Sequence, residues 1–401
     1  MNLILSLNLN HLEASINHVK ALAFNRSLSS SGETKAAFYI KNEMDKENIE
    51  CKLEYFGFTG AKRRFMRLSY IIIFTSLIVY RLLLVIVAYL AIKYLFPRLR
   101  NYSLVERESS KNVVAKIKAV KKQEKRPVVI LSAHYDSFST NLPYVLQKLF
   151  FFLFKIILIP YVMFAIFIIY FFLFNEPTTR ITQLILYFTL VEFAITIITF
   201  LLIYDRKSSK GSVDNASGVA ILIELAKLLK RNPLKNYDVI VLWSGGEEWG
   251  LKGSIAFCKK HRDYLKKTYD LNRSFNINID MVGSYIGLET KRSLHLRRRK
   301  EAFDLNKRLE ETANELNVPI TVHNKIFGSK ADHQSFRSFA KKTKTSFQVA
   351  YFHSEKDSKF IHSSKDTPDK CNPESLNGCL EICYETIRSI DSKNFSSKEI
   401  R

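Results

Sequence analysis

The sequence predicts an α/β fold into which transmembrane helices are inserted, and three observations carry that expectation. Short, wholly apolar runs such as Val128–Leu131 suit buried central strands, and they alternate with longer apolar stretches such as Gly218–Leu229 that read as helices. Histidines and carboxylates stand just beyond several strand-like runs, where open α/β sheets bind ligands. Two further apolar runs are too long for strands: Leu149–Phe174 has 26 residues with one charge, Lys155, and Ile181–Tyr204 has 24 with one charge, Glu192.

Along the chain, Ser31-Gly32-Glu33 opens a helix-like stretch to Met44, and Ile49–Tyr55 alternates like a strand. The apolar stretch Tyr70–Phe96 carries Arg81 near its middle and Lys93 near its end. Split at Arg81 it yields pieces of 11 and 15 residues, close to the range of re-entrant segments, so a re-entrant hairpin is expected rather than a single crossing. The strand Val128–Leu131 delivers His134, and Asp136 two residues later faces the same side if the chain stays extended. A carboxylate there would fix the imidazole tautomer and raise its basicity.

The two long runs each exceed the ~20 residues a hydrocarbon core requires, and neither has a polar face. The segment 175–180 between them suits a tight turn, so the pair reads as a transmembrane hairpin that returns the chain to its starting side. Asp214 then precedes the helix Gly218–Leu229 and is expected near its cap. Tyr237–Leu242 reads as a second buried strand ending at Ser244–Glu248, and Phe275–Ile279 as a third, delivering Asp280. The expected organisation is a catalytic domain in three pieces, residues 1–69, 97–145 and 205–391. A membrane segment at 70–96 and the hairpin at 146–204 interrupt it, and a polar tail at 392–401 frays.

His134, Asp214, Glu248, Asp280 and His362 are the donor types that zinc accepts, and Glu247 beside Glu248 is a natural general base. A lone Asp-Asn or Glu-Glu is usually a cap or a solvated face, so the joint occurrence carries the reading of a two-metal hydrolase. His333 reads as a supporting or surface histidine. His11, His18, His261, His295, His323 and His353 have no ligand-like context.

The motifs His134-x-Asp136-Ser137, Asp214-Asn215-x-Ser217-Gly218, Glu247-Glu248-x-Gly250-Leu251-x-Gly253-Ser254, Ile279-Asp280-Met281 and His362-x-x-x-Asp366-Thr367 occur in this order. Together they resemble metallopeptidase family 28, the co-catalytic zinc aminopeptidases that include aminopeptidase Y and the bacterial leucyl aminopeptidases. The resemblance covers roughly residues 15–57, 112–140 and 211–390. It implies a zinc-exopeptidase-like mixed sheet flanked by helices. It also implies two Zn2+ ions bridged by Asp214, with His134 and Asp280 completing one site and Glu248 and His362 the other. Glu247 would be the general acid/base and Asp136 the carboxylate behind His134. Two departures stand out. Relatives carry a tyrosine just before the last histidine to bind the oxyanion, whereas Ile361 stands here, leaving metal alone or another group such as Tyr351. His134 and Asp214 also lie 80 residues apart, where the family implies a much shorter link.

The formal charge of +23 raises nucleic acid as a partner, but no nucleic-acid motif accompanies it. Solvated faces and a basic rim at a lipid bilayer account for it instead. The five cysteines form no Cys-x-x-Cys pair and read as free thiols in a reducing compartment. Met1-Asn2-Leu3-Ile4 lacks the basic start of a signal peptide. Lys and Arg crowd the membrane flanks beside the catalytic domain, so that domain is expected to face the cytoplasm. The expected activity is removal of N-terminal residues from peptides or proteins by a membrane-embedded enzyme. A single-zinc acyltransferase resembling glutaminyl cyclase and an inactive peptidase-like membrane receptor are the alternatives.

Overall fold

The computed structural model describes residues 13–58, 108–140, 209–291, 304–325 and 329–392, with isolated helical positions between 146 and 194. Its strands are β1 (Glu50–Phe58), β2 (Glu108–Ile117), β3 (Val128–His134), β4 (Asp238–Ser244), β5 (Phe275–Ile279), β6 (Ile286–Lys291), β7 (Ile320–Lys325) and β8 (Gln348–Phe352). Its helices are α1 (Ser31–Lys46), α2 (Ser217–Arg231), α3 (Lys252–Thr268), α4 (Leu305–Glu315), α5 (His333–Thr343) and α6 (Pro373–Ser392). The strands form one eight-stranded sheet in the order β1-β2-β4-β3-β5-β8-β6-β7. Its centre is parallel, β4-β3-β5-β8, while β2 joins β4 and β6 joins β8 antiparallel, so the sheet is mixed as expected.

Burial on both faces explains the apolar centre. Every residue of β3 is buried. Val128 and Ile130 pack with Phe257 of α3 and Phe336 of α5, whereas α2 lies against β3, β4 and β5 and packs on α6. At ~25 cal/mol per Å² of apolar surface, these two layers supply the main stabilisation. The helix α2 is apolar nearly all round because it is enclosed, with Lys230 and Arg231 in its last turn facing the negative end of the dipole. In β5 the polar residues are also enclosed. Asn276 donates to the Ile130 carbonyl at 2.8 Å, and Asn278 donates to the Ser132 carbonyl at 3.0 Å, so both amide nitrogens find acceptors across the ladder.

By its contacts the chain divides into two compact units, Met1–Phe56 with Ser110–Ser139 and Ser208–Arg401, and Gly57–Ser109 with Thr140–Lys207. The membrane segments expected at 70–96 and 146–204 fall outside the described residues, except for isolated positions. Among these, Leu146, Leu149, Phe152, Tyr187 and Val191 are helical and expose their apolar side chains. Among the described residues, no helix is long and apolar enough to cross a membrane. The inserted transmembrane helices therefore find no support in the described fold.

Candidate metal centre

All the expected site residues stand at one end of the sheet. His134 is the last residue of β3, paired in register with Ser244 at the end of β4. Glu247 and Glu248 follow β4, Asp280 follows β5, and His362 lies in the loop after β8. Asp214 lies near the cap of α2, two residues before its N-cap Ala216, as expected. It sits in an irregular turn, Ser212–Ala216, with φ −117° and ψ 90°.

Side chains tie that turn to its neighbours. Asn215 Oδ1 accepts the amides of Gly218 at 3.0 Å and Met281 at 3.1 Å, while its Nδ2 donates to the Ile279 carbonyl at 3.0 Å. Ser217 Oγ donates to the Val213 carbonyl and accepts the Val282 amide. Gly218 is required by this closeness, because a Cβ there would lie 2.5 Å from both Asn215 Oδ1 and the Ile279 carbonyl oxygen. From the other side, the Asp366 carboxylate accepts the amides of Val213 at 2.6 Å and Asp214 at 3.3 Å. The Asp-Asn-x-Ser-Gly motif and the aspartate of the last motif thus fix the backbone that presents Asp214.

The Asp136 carboxylate has a different main task from the one expected. It accepts the amides of Glu247 at 3.0 Å and Glu248 at 3.3 Å, shaping the glutamate turn. Its oxygen is 3.6 Å from His134 Nδ1, long for a hydrogen bond, and the ring nitrogen instead faces the Asp136 backbone carbonyl at 3.1 Å. Asp136 is behind His134 as expected, but it acts on the ring through charge, and its carbonyl orients the ring.

Two donor trios result, His134–Asp214–Asp280 and Asp214–Glu248–His362, each with donor atoms within 4.8 Å of one another. His134 Nε2 lies 3.1 Å from Asp214 Oδ1 and 3.2 Å from Asp280 Oδ1. His362 Nε2 lies 3.2 Å from Asp214 Oδ2 and 3.0 Å from Glu248 Oε1. A tetrahedral ion with ligands at ~2.0–2.1 Å separates its donors by about 3.3 Å, so these spacings fit zinc with little rearrangement. Asp214 offers a different oxygen to each trio. Glu247 is buried beside them and belongs to neither.

The electrostatics have the same pattern. Burial would lower both histidines, but carboxylates overrule it. Asp280, with Asp136 and Asp214, holds His134 well above its usual range, and Glu248 with Asp214 raises His362 to about 10. Burial would raise Asp214, yet the two histidines pull it down. Burial pushes Glu248 up to about 7 and Glu247 well above the carboxylate range, the charges of Glu248, Asp280 and Asp332 adding to the shift in Glu247.

Several contributors carried no sequence signal. Arg26 is fully buried, and its guanidinium donates to the Tyr135 carbonyl at 2.7 Å, Lys210 at 2.9 Å and Gly211 at 2.7 Å, joining the loops before and after the insertion. Burial lowers its pKa to about 10, against the opposing charges of Asp366, Asp136 and Asp214. Asp332 is buried, accepts from the Ser244 hydroxyl and is raised to about 6 by burial. His333 is wholly buried and stacks on Tyr351, a supporting rather than a ligating position. The hydroxyl of Tyr351, one of the oxyanion candidates, points instead at Asp280 Oδ2, 3.3 Å away.

Residues 198–387 match the model of Peptidase family M28. Aminopeptidase YwaD of Bacillus subtilis (strain 168) is 38% identical over 77 residues, 19% of this chain and 16% of that relative's length. An aminopeptidase from Aneurinibacillus sp. strain AM-1 shares the fold with a TM-score of 0.54 at 14% identity, over 94% of this chain and 93% of that one. BSAP, a zinc aminopeptidase from Bacillus subtilis, does so with a TM-score of 0.54 at 13% identity, over 94% of each. A glutaminyl cyclase of an Acidobacteriales bacterium has the same TM-score at 15% identity, over 96% of each. The family model matches a little under half of the chain, and these solved structures share its fold.

Proposed function

We propose that the chain is a zinc-dependent M28 peptidase that binds two ions and removes N-terminal residues from peptides or proteins. The observation that carries this is Asp214, whose two carboxylate oxygens each face a histidine of a different, complete donor trio. Bound zinc would polarise the scissile carbonyl and acidify a water. The chain's own part would be to take that water's proton on Glu247. Glu247 is buried beside both trios, and one carboxylate there would both accept that proton and return it to the leaving amine. Asp136 keeps Glu247 in place by binding its backbone amide. With Ile361 buried and apolar before His362, no side chain takes the place of the expected tyrosine at that position.

Two full trios favour this reading over a single-zinc cyclase, although a glutaminyl cyclase shares the fold. The test is metal analysis of the purified chain with a panel of free and N-terminally blocked peptides, including one beginning with glutamine. Two zinc ions per chain and cleavage restricted to free N-termini would support the proposal. One ion and cyclised glutamine would replace it.

The placement at a membrane is part of the proposal. Its support is the pair of apolar runs at 149–174 and 181–204, with exposed Leu146, Leu149 and Phe152 spaced at a helical interval. β1 lies in the same sheet as the strands bearing the donors, which favours a re-entrant 70–96 over a single crossing. A cytoplasmic catalytic domain predicts that a cysteine placed at Thr178 reacts with an impermeant reagent on intact cells while one at Ser208 does not. The reverse pattern would put the enzyme outside.

A further inference from the structure

Asp280 uses its two oxygens differently. Oδ1 stands 3.2 Å from His134 Nε2, on the side where a cation would sit, while Oδ2 accepts a hydrogen bond from the Tyr351 hydroxyl at 3.3 Å. Two histidines stack on Tyr351: His333 of α5 with ring centroids 4.0 Å apart and planes at 28°, and His353 nearly parallel at 5.4 Å and 18°. The same loop is anchored through its backbone, since the Asp280 amide donates to the Phe352 carbonyl at 3.0 Å and His353 Nδ1 faces the Asp280 carbonyl at 3.3 Å. The His333 amide in turn donates to Asn278 Oδ1 at 3.2 Å. Tyr351 is 1% exposed, so its ring has no room to turn and its hydroxyl has a fixed direction.

We propose that Tyr351 is a positioning residue for the His134–Asp214–Asp280 trio: its hydroxyl holds Asp280 Oδ2 and so aims Oδ1 at the cation. A carboxylate free at both oxygens can rotate or bind through either one. A donor on one oxygen restricts it to a single ligating atom and tunes its basicity. This assigns Tyr351 to the metal ligand and not to the oxyanion, since the hydroxyl proton is engaged by Asp280. The inference rests on the metallopeptidase reading of the site.

The test compares the full chain with Tyr351→Phe, which keeps the ring stack and removes one oxygen. Both are stripped with chelator and titrated with zinc against a chromophoric competitor, alongside measurement of kcat and KM. The expected result is one of the two zinc constants weakened by about 10–100-fold, the other unchanged, and lost activity restored by excess zinc. Two unchanged constants with a depressed kcat would move the hydroxyl to the oxyanion and overturn the proposal, as would two unchanged constants with unchanged kinetics. A parent chain that binds no zinc would instead overturn the metal reading on which the proposal stands.

Discussion

Replacing Asn215 with alanine should disrupt the metal centre more than any neighbouring change to a non-ligand. The side chain is wholly buried and satisfies three backbone groups, the amides of Gly218 and Met281 and the carbonyl of Ile279. A buried polar group left without its partner costs about 1–3 kcal/mol. The Ile279 carbonyl can accept elsewhere, so the low end applies to it, and the total comes to about 3–7 kcal/mol. That is a large part of the ~5–15 kcal/mol by which a domain is stable. Ser217→Ala removes one donor to Val213 and one acceptor for Val282, and should cost about half as much. Urea denaturation of the metal-free chains measures both losses, and zinc titration should show weaker binding in the same order. A loss below about 1 kcal/mol for Asn215→Ala, or one no larger than for Ser217→Ala, would refute the claim that this amide couples the Asp214 and Asp280 loops.

Two other changes separate chemistry from stability. Glu247→Gln should keep zinc content, because Glu247 is in neither trio, and lower turnover by about 10²–10⁴-fold; parental turnover would remove Glu247 as the base. Glu33 is raised by burial from its ordinary 4.5 to about 7. Between those values the native state binds more protons than the unfolded one, so this group lowers stability as pH rises from 4.5 to about 7. Glu33→Gln should therefore flatten the fall in melting temperature across that window, and an unchanged pH slope would count against the buried position of Glu33.

The residues that act by themselves were legible, and those that act through distant backbone were not. The strands β3 and β5 and the candidate donors of the two trios could be read because a short apolar run ending in a metal-donor residue suits a buried strand leading to a site. The strands β6, β7 and β8 had no sequence reading, and pairing within the sheet, more than local pattern, fixes them. Arg26 reaches the Tyr135 carbonyl across 109 residues and Gly211 across 185, a relation that no local pattern encodes. Asp136 lies near His134, but its carboxylate serves the amides of Glu247 and Glu248, which are 111 and 112 residues away. Charge and spacing predict where a carboxylate stands, while the choice among its acceptor directions belongs to the packed structure.

The same long-range contacts explain how a site split by 80 residues stays whole. The chain leaves the metal-bearing unit after Ser139 and re-enters at Ser208. At this base the Ser209 amide donates to Ser139 Oγ at 2.7 Å, Ser137 exchanges bonds with the Arg26 backbone, and the Arg26 guanidinium spans to Lys210 and Gly211. His134 and Asp214 are thus each within a few residues of one clamp, whose bonds all come from the metal-bearing unit. The insertion carries none of the donors. Replacing residues 141–207 with about four Gly/Ser residues, whose typical reach is ~10 Å, should accordingly leave the clamp closed. The shortened chain is expected to bind zinc with the parent's stoichiometry and with affinities within a few-fold, measured by the same competitive titration. Adding Arg26→Ala to it should weaken binding, because three backbone carbonyls at the base would lose their shared donor. A shortened chain that folds, judged by circular dichroism, yet binds no zinc would show that the insertion itself holds the two halves of the site together.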